Sequence, residues 1–155
     1  MELSYEFPTE SHIQELLADL AEDDRQELLA QGVRPEWGIR TSIANSTEVV
    51  AISKGGKLGG ITGLVETAGL APQVYPWLLG TSFMQQHPVA IMKISKRLIA
   101  RWRALHPYMY NFVDQRHTRA IAWLTALGAE LEAIPAYGPY RRPFFKFTFG
   151  SPPCA

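Results

Sequence analysis

Cysteine is nearly absent from this sequence of 155 residues, since Cys154 is the only one. No disulfide can form within the chain, and we expect it in a reducing compartment such as the cytoplasm. Long apolar runs are missing as well, because no stretch approaches the roughly 20 residues that span a bilayer. The first residues also lack the basic and apolar regions of a secretory signal. These absences predict a cytoplasmic protein with no membrane partner.

An excess of charge of either sign is missing too. The 15 acidic and 15 basic residues give a net charge of zero, and 46% of the residues are hydrophobic. A neutral chain has no global field that would recruit nucleic acid or an anionic membrane. Its apolar fraction is that of an ordinary globular protein, long enough for a core of its own. We therefore predict one domain over residues 1–150 and a C-terminal tail at 151–155.

Apolar periodicity and turn residues predict an α+β fold. The turn Lys54–Lys57 contains two glycines and indicates a hairpin. A long helix is indicated over 88–105, because apolar residues recur there at steps of three and four after a proline. The segment 33–46 is predicted to be a connector with some helix. The other predicted elements are strands 2–7, 48–53, 58–66, 74–80 and 108–113, two strands within 130–149, and helices over 9–20, 22–30 and 118–127.

The most informative stretch, Asn111–Ala129, has the pattern of a strand, a polar turn and one amphipathic helix. Thr118 stands at the predicted N-cap of that helix, and Gly128 at its predicted left-handed end. The apolar residues of the predicted buried face are Ala120, Ile121, Trp123, Leu124 and Leu127.

This unit and the order of the elements resemble the GNAT N-acetyltransferases. The resemblance implies a mixed, mostly antiparallel central sheet of six or seven strands, flanked by about four helices. It also implies acetyl-CoA as the cofactor and transfer of its acetyl group to an amine.

In that family, a loop before the long helix holds the pyrophosphate of acetyl-CoA with backbone N–H groups, as helix N-termini do in general. The corresponding stretch here is Gln85–Ala90, whose first and last residues match the family pattern. Pro88 takes the place of a glycine in that pattern, and proline has no N–H to donate. The cofactor-binding residues that the resemblance implies are Leu79, Thr81, Gln85, Val89, Ala90 and Ile91.

The resemblance departs from the family at the catalytic positions. Leu124 stands where many members have a tyrosine that protonates the departing thiolate, and leucine cannot give a proton. His117 stands where those members have an asparagine, and its ordinary pKa of about 6.5 makes it a candidate acid. Among the carboxylates, Glu66 at the end of a predicted strand is our first candidate for the base, and Asp114 the second. We assign no metal ligands.

The C-terminal half has a finer resemblance, to the GNAT-like internal virion proteins of short-tailed bacteriophages (podoviruses). The matching stretches are Trp77–Ser82, Lys93–Arg103, Tyr110–Val113, Ile121–Ala129 and Phe144–Gly150. This resemblance implies a phage or prophage protein that acts in the host cytoplasm or in the virion.

Two functions therefore stay open. The first is an acetyl-CoA-dependent N-acetyltransferase with a degenerate cofactor loop. The second is an inactive GNAT scaffold that acts in virion assembly or host interaction, with phage or host proteins as partners. For the scaffold we predict an exposed patch of Tyr137, Tyr140, Arg142 and Phe144. Nucleic-acid binding through the basic residues of the 88–105 helix ranks last, since a solvated helix face accounts for them.

Overall fold

The structure is a computed structural model and describes residues 2–152. Its strands are β1 (Leu3–Glu6), β2 (Ser46–Lys54), β3 (Lys57–Glu66), β4 (Val74–Gly80), β5 (Tyr108–Asp114), β6 (Glu130–Tyr137) and β7 (Arg142–Gly150). Its helices are α1 (Glu10–Ala18), α2 (Glu22–Ala30), α3 (Pro35–Asn45), α4 (Pro88–Leu105) and α5 (Thr118–Ala126), with a short 3-10 helix at Met84–Gln86. Residues 153–155 of the predicted tail lie outside the described residues.

The seven described strands form two antiparallel sheets. The order is β1-β2-β3-β4 in the first sheet and β5-β7-β6 in the second. This confirms the predicted α+β fold class, although the sheet divides between β4 and β5 and the described residues form five α-helices. None of these helices is long and apolar enough to cross a membrane.

The division between β4 and β5 has a local cause at Asn111. Its side-chain Nδ2 donates to the carbonyl oxygen of Pro76 at 3.1 Å, and its Oδ1 accepts from the backbone N–H of Phe112 at 2.8 Å. The Asn111 side chain thus bonds to backbone groups that would otherwise pair directly between β4 and β5. Pro76 also has no N–H to offer on that edge.

Two apolar clusters cover opposite faces of the first sheet. Leu16 of α1 and Ile39 of α3 pack against Ile61 on one face. Trp102 of α4 and Leu124 of α5 belong to the cluster on the other face, which continues into the second sheet. Because successive strand residues point to opposite faces, β3 contributes to both clusters. Helices α1 and α3 therefore lie across the sheet from α4 and α5.

The connector predicted at 33–46 is largely one helix, α3. Pro35 occupies its first turn, and Ile39 is fully buried. Gly38 lies inside this helix, although glycine disfavours helix interiors. The structure gives a reason for it, because a Cβ there would lie 2.9 Å from Cγ1 of Val33. Close packing explains this glycine in a helix.

Two further predictions are corrected. Thr118 is not the N-cap of α5, because Nδ1 of His117 accepts the Ala120 N–H at 3.3 Å. The predicted exposed patch is wrong as a unit, because Phe144 is 0% exposed and packs against the ring of Tyr137. Tyr140, in contrast, is 68% exposed.

Candidate active site

A cavity of about 510 Å³ lies where β4 and β5 separate. Helix α2 contributes to its wall, as do α4 and α5 from the other face of the sheet. Apolar side chains form most of this wall, and the volume falls in the range of small-molecule sites. Its ionisable residues are Asp24, Glu27, His117 and Arg119.

The edge of β4 presents backbone groups to this cavity. The Gly80 N–H donates to Oδ2 of Asp24 at 2.8 Å, and the Pro76 carbonyl accepts from Asn111, so both point away from β3. Leu78 lies midway between them in a regular antiparallel register. Strand geometry therefore turns the N–H and C=O of Leu78 in the same direction, toward the cavity that this residue lines.

Helix α2 bridges the two separated strands with its carboxylates. Asp24 accepts from Gly80 on β4, while Oε1 of Glu27 accepts from the Asp114 N–H on β5 at 2.7 Å. The two acids are three residues apart and thus share a face of the helix. The N–H groups of Gly80 and Asp114 lie on the separated edges of β4 and β5, so neither can bond to the other strand. The two carboxylates of α2 accept from them instead.

Glu27 is the most perturbed carboxyl of the cavity. Burial raises its pKa to about 7, which outweighs the opposing effects of the Asp114 N–H and of His117. The neighbouring carboxylates Asp24 and Asp114 raise it further. A carboxyl group with this pKa exchanges protons near neutral pH, as a general base requires.

His117 is buried beside Glu27 and belongs to the cavity wall. Its Nε2 lies 2.8 Å from Oδ1 of Asp24, and its Nδ1 accepts the Ala120 N–H. Burial alone would lower the pKa of His117, but the hydrogen bond and charge of Asp24, together with the charge of Glu27, raise it. One ligand atom from each of the three residues lies within 4.8 Å of the others.

The structure brings His117 to the cavity but places the two predicted bases elsewhere. Glu66 pairs with Val74, at the opposite end of β4 from Gly80, and lies 3.7 Å from Nδ1 of His106. The Asp114 carboxylate is buried and bonded to Arg116. Burial acts to raise its pKa, but the bonds from Arg116 lower it overall, so this group is a poor proton acceptor.

The six predicted cofactor residues lie around the end of β4 and the beginning of α4. Leu79 and Thr81 are buried, and the Thr81 hydroxyl donates to the Leu58 carbonyl at 2.8 Å. Gln85 lies in the 3-10 helix. The predicted residues that line the cavity are Leu79, Thr81, Gln85 and Ile91.

The first turn of α4 has two unpaired backbone donors. Pro88 has no N–H, and the Ile91 N–H already donates to the His87 carbonyl at 3.2 Å. The amides of Val89 and Ala90 therefore remain, since the first N–H groups of a helix have no partner within it. Nζ of Lys54 lies 3.3 Å from Nδ1 of His87, beside the same turn. This end of α4 is suited to an anion.

Although the net charge is zero, acidic and basic residues are concentrated in different parts of the chain. Residues 1–36 contain ten acids and two bases, a net charge of −8, which leaves five acids and 13 bases, a net charge of +8, for residues 37–155. The acidic part includes α1 and α2, while five exposed basic residues lie on α4. The cavity thus has an acidic helix on one side of the sheet and a basic helix on the other.

Solved structures show the same fold. The chain superposes on a GNAT acetyltransferase from Bacillus anthracis with a TM-score of 0.71 at 9% identity, covering 96% of this chain and 95% of that one. It superposes on the Vibrio cholerae spermidine N-acetyltransferase bound to CoA and spermine with a TM-score of 0.68 at 13% identity, covering 95% and 94%. It superposes on a Bacillus subtilis acetyltransferase bound to CoA with a TM-score of 0.64 at 15% identity, covering 97% of this chain and 99% of that one.

At the level of sequence, no known protein family and no curated protein matches the chain. The structural comparisons therefore define a fold: this chain has the fold of the GNAT acetyltransferases. The residues present also fit acetyl-CoA. The cavity opens on the free backbone edge of Leu78, and the Val89 and Ala90 amides offer donors for phosphate.

Proposed function

We propose that this protein is an N-acetyltransferase that moves an acetyl group from acetyl-CoA to an amine, with Glu27 as the general base. The observation that carries the proposal is the position of Glu27, in the wall of the cavity between the separated strands, with a pKa of about 7. The GNAT fold supports the same reaction class, although fold by itself does not specify activity.

Free backbone groups in two places would hold acetyl-CoA, at the beginning of α4 and on the edge of β4. The Val89 and Ala90 amides would receive the phosphates at the beginning of α4, next to Lys54. The Leu78 C=O would accept from an amide N–H of the arm that carries the acetyl group, as a sheet edge accepts from an added strand. When bound, acetyl-CoA supplies the acetyl group as a thioester.

The acceptor amine is protonated near neutral pH and must lose a proton before it can attack. Oε1 of Glu27 is held by Asp114, and Oε2 has no hydrogen-bond partner among residues 2–152, so Oε2 would take this proton. The Leu78 N–H would donate to the carbonyl oxygen while the nitrogen–carbon bond forms. As the carbon–sulfur bond breaks, the thiolate sulfur would take the second proton that the acetylated nitrogen loses, while His117 keeps Asp24 in place through Nε2.

The test combines calorimetry with an acetylation assay on a panel of amines. We expect micromolar binding of acetyl-CoA and acetylation of at least one amine. Glu27→Gln should keep this binding but lose about 100-fold or more in rate, the usual contribution of a general base. Glu66→Gln is the matched control and should behave like the parent protein.

Either of two results would refute the proposal. One is the absence of binding heat up to millimolar acetyl-CoA. The other is an active protein in which Glu27→Gln has no effect on rate.

The finer resemblance to phage virion proteins rests on the sequence alone and stays a prediction. The role that this resemblance implies is an inactive scaffold in the host cytoplasm or virion, with phage or host proteins as partners. Without Phe144, the predicted binding patch is reduced to Tyr140, Arg142 and the half-buried Tyr137. Failure to bind acetyl-CoA, together with capture of a virion protein that depends on Tyr140, would favour this role.

A further inference from the structure

The helices on the two faces of the first sheet carry opposite charge. Helices α4 and α5, which pack on one face, contain six basic residues and no acidic one. Helices α1, α2 and α3, which pack on the other face, contain seven acidic residues and two basic ones. The net charge of zero predicted no field that would attract a polyanion, but the fold separates the charges into a cationic and an anionic face.

The basic residues of α4 form two rows on its exposed surface. The first row consists of Lys93, Arg97 and Arg101, and the second of Lys96 and Arg103. Steps of four residues place the charges of the first row about 6 Å apart along the helix axis. The exposed Ala100 and Ala104 lie between the two rows, so a charged polymer can approach the helix closely there.

These cations are largely free of internal partners. Arg101 lies 3.2 Å from a carboxylate oxygen of Glu48, and its side chain is mostly exposed. The other four bases of α4 have no ionic partner in the part of the chain that the structure describes. Like charges at steps of four residues, as in the first row, destabilise a helix. An anionic partner would relieve this repulsion.

The chemistry of this surface distinguishes among anionic partners. The aromatic residues of the two helices, Trp102 and Trp123, pack against the core, so neither offers a platform for unpaired bases. Protein interfaces are enriched in aromatic residues at their centre, whereas the centre here is alanine. A helix that lies in a membrane surface needs its apolar face free, but that of α4 is buried against the sheet. A nucleic-acid duplex fits, because its phosphates are accessible while its bases stay stacked.

We propose that the exposed surface of α4 binds the phosphate backbone of a nucleic-acid duplex without reading its sequence. The anionic face is repelled by the same phosphates, so the molecule binds in one orientation, with α1, α2 and α3 turned away from the duplex. This activity goes beyond acetyl transfer and uses different residues. DNA and RNA duplexes share the chemistry that the surface recognises, and the experiment separates them.

The experiment measures fluorescence anisotropy of labelled duplexes of about 20 base pairs, one of DNA and one of RNA, at several salt concentrations. We expect micromolar binding at about 50 mM salt, and a slope of about −4.5 for the logarithm of affinity against that of salt, as for five phosphate contacts. Binding of both duplexes assigns the contact to phosphates in general. Binding of one alone restricts it to the backbone geometry of that duplex.

A double variant tests the surface itself. Lys96→Gln with Arg97→Gln removes one cation from each row, and should weaken duplex binding about tenfold and reduce the slope by about 2. The matched control is Arg34→Gln with Arg142→Gln, which removes the same charge from exposed sites outside α4 and should leave the slope unchanged. All four side chains are exposed, and thermal unfolding checks that both variants keep the fold.

Several results would overturn the inference. One is the absence of binding to either duplex at low salt, and another is an equal decrease of slope in the double variant and its control. Equal affinity for poly-L-glutamate or for phosphatidylserine vesicles would show that the surface binds any anion. Tighter binding of a single strand than of a duplex would contradict the argument from the missing aromatic platform. Glu27→Gln should bind the duplex like the parent protein, so this inference and the proposed function fail independently.

Discussion

Oε1 of Glu27 accepts a hydrogen bond from the backbone N–H of Asp114 at 2.7 Å, and this contact joins α2 to the free edge of β5. The Asp114 carboxylate makes its hydrogen bonds to Arg116 instead. Asp114 thus contributes its backbone N–H to the site, while its carboxylate binds Arg116. This arrangement fixes the position of Glu27 between the two sheets.

The raised pKa of Glu27 predicts that the fold is more stable in mild acid. Its pKa is 4.5 ordinarily and about 7 here, so the folded state binds more protons between these values than the unfolded state does. The free energy of unfolding should therefore fall as pH rises from about 4.5 through 7, by up to about 3 kcal/mol for this group. The raised pKa of His117 acts in the same direction, since its stabilisation is lost as pH rises through the folded value.

Urea unfolding at several pH values measures this effect. Glu27→Gln should flatten the dependence, because glutamine keeps a carbonyl acceptor but does not titrate. An equal slope in the parent protein and in Glu27→Gln would show that Glu27 has an ordinary pKa.

Pro88→Ala should strengthen CoA binding. Alanine restores an N–H to the first turn of α4, where only the Val89 and Ala90 amides are free. One added hydrogen bond to a phosphate is expected to give about tenfold tighter binding by calorimetry. The melting temperature should drop slightly, because proline stiffens the beginning of a helix. Val89→Ala is the control, since it keeps the amide and changes only an exposed side chain; a similar gain in that variant would contradict the explanation.

The acidic α2 predicts a preference for acceptors with more than one positive charge. Asp23 is exposed on α2, beside the cavity residue Asp24. Asp23→Asn should lower kcat/KM for a diamine about threefold to fivefold at low salt and less at high salt, since exposed charges are screened. Glu130→Gln, an exposed acid on β6, should have no such effect. An identical loss for a monoamine and a diamine would argue against electrostatic selection.

Gly63 of β3 should resist substitution. A Cβ there would lie 2.8 Å from the Glu48 carbonyl oxygen and 2.9 Å from both Nε1 of Trp77 and Oγ of Ser46. Gly63→Ala must displace this hydrogen-bonded pair, and we expect a loss of about 1–3 kcal/mol in urea unfolding, as for overpacked cores. At Gly59 the nearest contact of a Cβ is one oxygen at 3.3 Å, so Gly59→Ala should cost less. The reverse order would mean that the sheet accommodates the methyl group at Gly63.

Sequence patterns predicted the helices whose ends are marked by glycine or proline. They missed side chains whose role depends on residues far away in the sequence. The predicted bounds 22–30 and 88–105 agree with α2 and α4, since Gly32 and Pro88 mark their ends. Glu27 gave no signal, because an acid in an acidic helix is normally solvated. Its pKa is set by burial and by residues about 90 positions away, which no local pattern reports. Spacing alone could have suggested only that Asp24 and Glu27 share a face.

The division of charge between the first 36 residues and the rest also affects the behaviour of the molecule in solution. A neutral particle with eight excess charges of each sign in separate segments has a large electric dipole moment. At low ionic strength near pH 7, unlike ends of neighbouring molecules attract, and dissolved salt weakens that attraction. The protein should therefore be salted in, with a solubility minimum in dilute buffer close to its isoelectric point.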